Sequence, residues 1–215
     1  MNPTFLTRRA GLLGALLLAL APLGVAQAQA QAIDNSAPQK LVETSAQVLL
    51  ADLDANRAAY RRDIKALYKV IDTKFLPHVD VQYAAQQVLG KHWRTATPEQ
   101  RKRFVDAFYQ SMLTTYGDAL LDFTADNLRI KPFRGDANAD RATVDTEIRR
   151  SNGAAVAVSY GVRKTPAGWK VWDVVIEGIS YVRSFREDFG LEIDQKGLDS
   201  LLTRLESGQV KAKAP

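Results

Sequence analysis

Apolar residues in the first half of the chain recur at the spacing of α-helices. One stripe comprises Leu41, Val42, Ser45, Val48, Leu49 and Leu53, and a second comprises Tyr60, Ile64, Leu67, Tyr68 and Ile71. After Pro77 a further apolar segment runs from Val81 to Leu89 and ends at Gly90, which is typical of a left-handed helix C-cap. The pattern therefore predicts a helical front half.

The clearest helix start is Thr97-Pro98-Glu99-Gln100. Thr97 can cap the helix, Pro98 takes the first helical position, and Gln100 can complete a capping box. The amphipathic series behind it is Phe104, Val105, Phe108, Tyr109, Met112, Leu113, Tyr116 and Leu120. We predict one long helix here, with Gly117 as the place where it can break.

The second half alternates apolar and polar residues in twos, which is the period of β-strands. Turn residues such as Asn152-Gly153 divide it into four antiparallel strands, at about 126–133, 140–150, 154–164 and 168–181. One last helix is predicted from Leu198, Leu201, Leu202 and Leu205. The predicted fold is α+β: N-terminal helices wrapped around a curved four-stranded antiparallel sheet, an NTF2-like cone, with a C-terminal helix.

Residues 1–28 have the features of a cleaved export signal. Arg8 and Arg9 precede an apolar run from Gly11 to Val25, and Ala26-Gln27-Ala28 is a small-x-small cleavage site. The run of roughly 15 residues is short beside the roughly 20 that a membrane-spanning helix needs. Cleavage after Ala28, Ala30 or Ala32 fits equally well, and so do the general and the twin-arginine export routes.

Charge and cysteine content limit the classes of protein that fit. The chain has 29 Lys and Arg against 24 Asp and Glu, a net charge of +5, and loss of residues 1–28 would leave +3. Because the basic residues are interspersed with acids, we expect no nucleic-acid partner. Without cysteines, stability must come from the hydrophobic core. We expect a single domain over residues 33–207 and a disordered tail over 208–215.

Motifs for a metal or a cofactor are missing from the sequence. Neither His78 nor His92 has a Cys, Asp or Glu at metal-ligand spacing in its local segment. No nucleophile elbow, phosphate-binding loop or dinucleotide fingerprint occurs. We therefore expect no catalytic metal and no cofactor.

Asp173 leaves one enzymatic alternative open. It lies among apolar residues of the last predicted strand, and a carboxylate buried there would be a candidate general base. An exported NTF2-like enzyme could then act on an apolar small molecule through Asp173 and Tyr160. Otherwise strand parity places Asp173 and Glu177 on the face that covers the helices or meets solvent. Trp172, Val174 and Ile176 then form the concave face.

The even-numbered strand residues and the facing side of the long helix form one apolar set. Its members are Phe104, Phe108, Met112, Leu128, Ile130, Val144, Ile148, Val156, Val158, Tyr160, Trp172, Val174 and Ile176. A filled core and a hollow interior both fit this periodicity.

Two segments resemble the periplasmic phospholipid-binding MlaC family, also known as the toluene-tolerance auxiliary family. They are LGKHWRTATPEQRKRFVDAFYQSMLTTY (Leu89 to Tyr116) and GWKVWDVVIEGISYVRSFREDF (Gly168 to Phe189). The family's first pattern fits Leu89, Gly90, Trp93, Thr97, Gln100, Phe104 and Phe108. Its second pattern fits Trp169 to Val174, Glu177, Gly178, Ser180 and Arg186.

The resemblance implies a soluble periplasmic carrier with no catalytic residues. Its cargo would be glycerophospholipid, whose acyl chains would lie in the apolar pocket formed by the set above. Its partners would be an outer-membrane lipoprotein–porin complex and an inner-membrane ABC transporter with an MCE-domain component. Such a carrier would maintain the lipid asymmetry of the outer membrane. The lipid class, the number of acyl chains, the direction of transport and the oligomeric state stay open.

Overall fold

Seven α-helices and five β-strands form within residues 32–136, 139–150 and 152–208, which the computed structural model describes. The helices are α1 (Pro38–Arg62), α2 (Ile64–Val70), α3 (Val81–Leu89), α4 (Lys91–Thr95), α5 (Pro98–Tyr116), α6 (Tyr181–Lys196) and α7 (Leu198–Glu206). The strands are β1 (Leu128–Ile130), β2 (Arg141–Arg149), β3 (Ala155–Thr165), β4 (Gly168–Ile176) and β5 (Ile179–Ser180). The predicted export signal, 1–28, lies outside the described residues, as do residues 209–215 of the predicted tail.

The strands form one open antiparallel sheet in the order β1-β2-β3-β4-β5. The predicted α+β class and the antiparallel meander are thereby confirmed. The sheet has one strand more than predicted, because the last predicted strand ends at Ile176. Glu177 and Gly178 both have positive φ angles, 51° and 85°. They make a two-residue turn that returns Ile179 to pair with Ile176.

Local capping signals place the ends of α3 and α5 as predicted. The Thr97 side chain accepts a hydrogen bond from the Gln100 amide, and the Gln100 side chain accepts one from the Thr97 amide. Gly90 ends α3 with a φ of 50°. α5 ends at Tyr116, and a 3₁₀ segment, Gly117–Asp122, follows it.

The C-terminal part contains two helices where one was predicted. α6 begins at Tyr181, because the Ser180 side chain caps it by accepting a hydrogen bond from the Arg183 amide. Its buried residues are Val182, Phe185, Phe189 and Ile193, which follow the helical period. None of the described helices combines the length and the apolar character needed to cross a membrane.

Most of the buried apolar residues belong to three separate clusters. The helical core joins α3, α5, α6 and α7, and its buried members are Ala84, Ala85, Val88, Leu89, Phe104, Ala107, Phe108, Val182, Phe185, Phe189, Ile193, Leu201, Leu202 and Leu205. The sheet-end cluster comprises Leu41, Val42, Val144, Val162 and Trp169. The α1–α2 cluster comprises Leu53, Tyr60 and Leu67.

Helix α1 connects the two smaller clusters and packs against β2, β3 and β4. From Val42 in the sheet-end cluster to Leu53 in the α1–α2 cluster the helix advances about 16 Å. Between them, Val48 and Leu49 are only partly buried. The middle of α1 is thus packed less completely than the parts on either side of it.

A pair of glycine substitutions tests the packing of the helices. Gly117→Ala should lower the free energy of unfolding by about 1–3 kcal/mol, because the added Cβ would lie 2.6 Å from Cε1 of Tyr68. The Tyr68 hydroxyl donates to Asp118 at 2.9 Å, which keeps the ring in place. Gly190→Ala, inside α6 with no atom within 4 Å of the new Cβ, should instead stabilise by about 0.5–1 kcal/mol. Urea denaturation measures both, and a Gly117→Ala protein as stable as the wild type would contradict the close contact.

Candidate functional site

Nine of the thirteen predicted apolar residues lie on one face of the sheet. Residues paired directly across antiparallel strands point to the same side. The pairing forms three rows: Leu128, Ile148 and Val156 in the first, Ile130, Thr146, Val158 and Ile176 in the second, and Val144, Tyr160 and Val174 in the third. We call these ten residues the apolar face.

A β-bulge in β4 interrupts the alternation on which the prediction rested. Gly161 pairs with Asp173 and Val162 pairs with Val171, so Trp172 is the extra residue between them. The side chains of Trp172 and Asp173 therefore both lie on the side of Gly161, opposite to the apolar face.

Trp172 consequently packs against the helical core, edge-on to Tyr83 with the ring centroids 5.4 Å apart. The predicted grouping of Trp172 with Val174 and Ile176 is wrong, because the bulge shifts the parity of β4 by one residue. For the same reason Val171, predicted on the opposite face, packs against the sheet-end cluster.

The predicted residues of α5 also lie apart from the apolar face. Phe104 and Phe108 are buried in the helical core, where their rings stack with centroids 5.6 Å apart and both contact Phe189 edge-on. Met112 packs against the same core. The structure thus corrects the prediction that α5 and the strands line one surface, since the side chains of α3, α6 and α7 fill the space next to α5.

The described residues seal the apolar face at one end. Val144 is completely buried and packs with Leu41 and Trp169 in the sheet-end cluster. Further along the strands, Val156 and Val158 are buried, yet the three clusters formed by the described residues do not include them. The face also has members that keep accessible surface: Leu128, Ile130, Ile148, Tyr160, Val174 and Ile176. In a filled core such side chains would be fully covered.

Tyr160 lies deep in the protein without being fully covered. Burial raises the pKa of its hydroxyl, and a hydrogen bond with Thr146 opposes that shift. The Thr146 hydroxyl also donates to the carbonyl of Val158 at 2.9 Å. The two polar groups of this region are therefore engaged with each other or with the backbone, which leaves the face apolar in character.

A cleft of about 820 Å³ begins where the apolar face reaches the end of β2. Its apolar wall includes Ile148, a member of the apolar face, together with Leu121 and Phe123. Its charged lining consists of Arg57, Arg61, Arg149, Arg150, Asp122 and Asp126. The volume falls within the roughly 300–1,000 Å³ of ligand sites in proteins.

Arg57 fixes one wall of this cleft. Its guanidinium donates to the carbonyl oxygens of Leu121 and Phe123, the latter at 2.8 Å, and lies 3.3 Å from Asp54. These bonds attach the segment after α5 to the C-terminal half of α1. The cleft is therefore bounded by α1, this segment and the end of β2.

Asp173 has a structural role at the start of α6. It is 7% exposed, and its carboxylate accepts a hydrogen bond from the Ser180 hydroxyl at 2.6 Å and one from the Val182 amide at 3.1 Å. It faces the helices, whereas Tyr160 belongs to the apolar face. The two residues of the enzymatic alternative therefore lie on opposite sides of the sheet and do not form one site.

Among the residues that the structure describes, no group of three or more His, Cys, Asp and Glu side chains is arranged to hold a metal ion. The chemistry that this region offers is apolar contact along the sheet and positive charge at the cleft.

A concave, mostly apolar surface that meets a few polar or charged groups is typical of ligand-binding sites in proteins. The chain belongs to the MlaC protein family, which matches residues 43–207.

Two curated relatives are similar over most of their length. The toluene tolerance protein ttg2D of Pseudomonas putida is 32% identical over 192 residues, which cover 89% of this chain and 85% of the relative. The intermembrane phospholipid transport system binding protein MlaC of Haemophilus influenzae is 25% identical over 178 residues, which cover 81% and 83%. These similarities support lipid binding or transport as the activity of this fold.

A solved structure is also similar. It is a phospholipid-binding protein from Ralstonia solanacearum in complex with a phospholipid, at a resolution of 1.53 Å. Its TM-score is 0.73 at 27% identity, and the match covers 81% of this chain and 97% of that one.

Sequence reasoning missed several residues of this site. Thr146 has the same parity as Val144 and Ile148, so alternation alone could have included it. Leu121 and Phe123 lie in and just after a 3₁₀ segment, where no period identifies a buried side. Nothing in the sequence pattern indicates that this segment meets the end of β2.

Substitutions of Asp173 test its structural role. Asp173→Ala should lower the free energy of unfolding by about 1–3 kcal/mol, because the Val182 amide would lose its buried acceptor. Asp173→Asn keeps one acceptor oxygen and should lower the free energy of unfolding by less. Asp188→Ala removes an exposed aspartate of α6 and should change stability by no more than about 0.5 kcal/mol. Urea denaturation gives the order of the three stabilities. Equal stability of the three variants would contradict a structural role for Asp173.

Proposed function

We propose that this protein is a periplasmic carrier of glycerophospholipid and not an enzyme. The single observation that carries the proposal is the apolar face, which is sealed at one end and continues into the cleft at the other. Residues 33–207 would form the lipid-binding domain, and residues 1–28 the export signal removed on secretion. The names of the relatives and the phospholipid in the Ralstonia structure support the same ligand class.

The acyl chains would lie between α1 and the apolar face. The proposed contacts are Leu128, Ile130, Val144, Ile148, Val156, Val158, Tyr160, Val174 and Ile176, with Thr146 among them. Phe104, Phe108, Met112 and Trp172 would support the fold from the helical core.

The sheet has the length that an acyl chain requires. β3 has 11 residues, and the apolar face runs along it from Val156 to Tyr160, roughly 13 Å, with the cleft continuing beyond Ile148 of the first row. The acyl region of one leaflet is about half of a hydrocarbon core of roughly 30 Å. A chain can therefore lie along the strands without folding back.

The free energy of burial makes unassisted release slow. About 15 methylenes at roughly 0.8 kcal/mol each give an upper figure on the order of 12 kcal/mol for one chain. A lipid would therefore leave on contact with a partner and not into water. The proposed partners are an outer-membrane lipoprotein–porin complex and an inner-membrane ABC transporter with an MCE-domain component, between which the carrier would maintain lipid asymmetry.

Mass spectrometry of the purified mature protein tests the carrier function. The protein, prepared without added lipid, should retain phospholipid under native conditions and yield it on organic extraction. Because release into water is slow, the lipid should persist through dialysis against lipid-free buffer. A protein that contains no lipid and takes none from phospholipid vesicles would contradict the proposal, and rapid spontaneous loss would contradict the need for a partner.

Two tryptophan substitutions in the same row of the sheet test whether the interior is hollow. Val174 keeps accessible surface, whereas Val144 is fully buried in the sheet-end cluster. Val174→Trp should occupy space meant for the ligand and lower the lipid content, with stability within about 1 kcal/mol of the wild type. Val144→Trp should destabilise by about 1–3 kcal/mol through overpacking.

Lipid per protein is measured by extraction and mass spectrometry, and stability by urea denaturation of the delipidated proteins. Equal destabilisation by both substitutions would indicate a filled core at Val174 and would count against the pocket.

A further inference from the structure

The space between the apolar face and α1 has β2 on one side and α1 on the other. On both of these elements the residues change from apolar to cationic at the same end. Along β2, Val144, Thr146 and Ile148 belong to the apolar face, and Arg150 follows two residues later with the same parity. Its amide still pairs with Ala154 across the hairpin, at 2.8 Å, so the strand geometry extends to this residue.

Helix α1 shows the same change on the opposite wall. Leu49, Leu53, Arg57 and Arg61 recur every four residues and therefore share one side of the helix. The first two pack in the α1–α2 cluster, and the last two line the cleft. Arg57 and Arg61 thus lie across the cleft from Arg149 and Arg150.

The charge of the cleft is unbalanced. Its lining has four arginines and two aspartates, an excess of two positive charges. Arg61 and Asp122 are 3.8 Å apart with side chains 61% and 85% exposed, which makes a weak ion pair. Arg149 and Arg150 are exposed, and neither has an ion pair among the described residues. Arg150 has the parity of the apolar face, whereas Arg149 has the opposite parity at the end of β2. Both line the cleft, and because neither is held in an ion pair with another described residue, both can attract an anion to it.

We propose that Arg149 and Arg150, with Arg61 opposite, bind the phosphate group of the lipid head. This assignment rests on the proposed carrier function and specifies its ligand: lipids that carry a phosphate are selected over neutral lipids with the same acyl chains. Guanidinium groups match phosphate oxygens in charge and geometry. A free phosphate offers the same chemistry, but the adjoining Ile148, Leu121 and Phe123 favour a phosphate attached to acyl chains.

The experiment compares two lipids that differ only in the head group. Delipidated protein is incubated with dioleoylphosphatidylcholine vesicles that contain dioleoylglycerol. The protein is then separated, and mass spectrometry gives the ratio of the two lipids bound. The wild type should be enriched in the phospholipid relative to the vesicles. Arg149→Ala with Arg150→Ala should lower this enrichment about three- to tenfold, as expected for two partly exposed charged contacts.

Two matched variants separate phosphate binding from general charge. Arg149→Lys with Arg150→Lys keeps the charge and should retain most of the enrichment. Arg94→Ala with Arg183→Ala removes two exposed arginines outside the cleft lining and should leave the enrichment unchanged. A loss in the second control equal to that in the cleft variant would overturn the assignment to the cleft.

Further outcomes distinguish this inference from the carrier function. Equal uptake of both lipids by the wild type would overturn the head-group assignment alone, whereas uptake of neither lipid would overturn the carrier function as well. Unchanged enrichment in the variant with Arg149→Ala and Arg150→Ala would overturn the assignment. It would instead indicate that these arginines contact an acidic protein. Calorimetric titration with inorganic phosphate tests whether the cleft binds free phosphate instead of a lipid head group. Tight binding of the free anion, together with equal uptake of both lipids, would show a site for free phosphate.

Discussion

In β4 two consecutive residues, Trp172 and Asp173, oppose the single residue Gly161. A side chain at position 161 would begin 3.2 Å from Cβ of Asp173 and 3.4 Å from the Trp172 ring, so glycine is the residue that leaves room for both. Trp172 then packs against the helical core, and Asp173 accepts hydrogen bonds at the start of α6. Since both side chains point away from α1, neither the indole nor the carboxylate interrupts the apolar face. The separation of a packed side from an apolar, incompletely covered side depends on this bulge.

The two sides of the sheet can therefore serve different purposes. The helical core on one side is filled with stacked and edge-on phenylalanine rings, among them Phe104, Phe108 and Phe189. Such close packing supplies most of the stability of a domain. The other side is covered by α1, with a sealed sheet-end cluster and a loosely packed middle. A fold whose stability came from that side would lose it whenever a ligand left. Because the helical core supplies the stability, a ligand can leave and re-enter the apolar face with a smaller loss of folding free energy.

The features that were predicted from the sequence are those that depend on neighbouring residues. The capping box at Thr97 and the alternation in β2 and β3 are local, so their positions and faces agree with the structure. The bulge at Trp172 depends on pairing with another strand, and alternation alone could not reveal it. The start of α6 was missed because the apolar alternation was extended through Ile179 to 181, although Phe185 has helical spacing from Val182. The cleft depends on contacts between segments far apart in sequence, for which no local pattern exists.

The unequal ends of α1 determine how an amphipathic ligand must be oriented. At the N-terminal end, Leu41 and Val42 close the space against the sheet. At the C-terminal end, Arg57 and Arg61 line a cleft that is open to solvent. A charged head group at the closed end would be buried without a partner, at a cost of several kcal/mol. On the proposed carrier function, a phospholipid would therefore enter with its acyl chains first and keep its phosphate at the cleft. A partner that receives the lipid would then have to meet this protein at the cleft, because the acyl chains would leave through the opening where the head group lies.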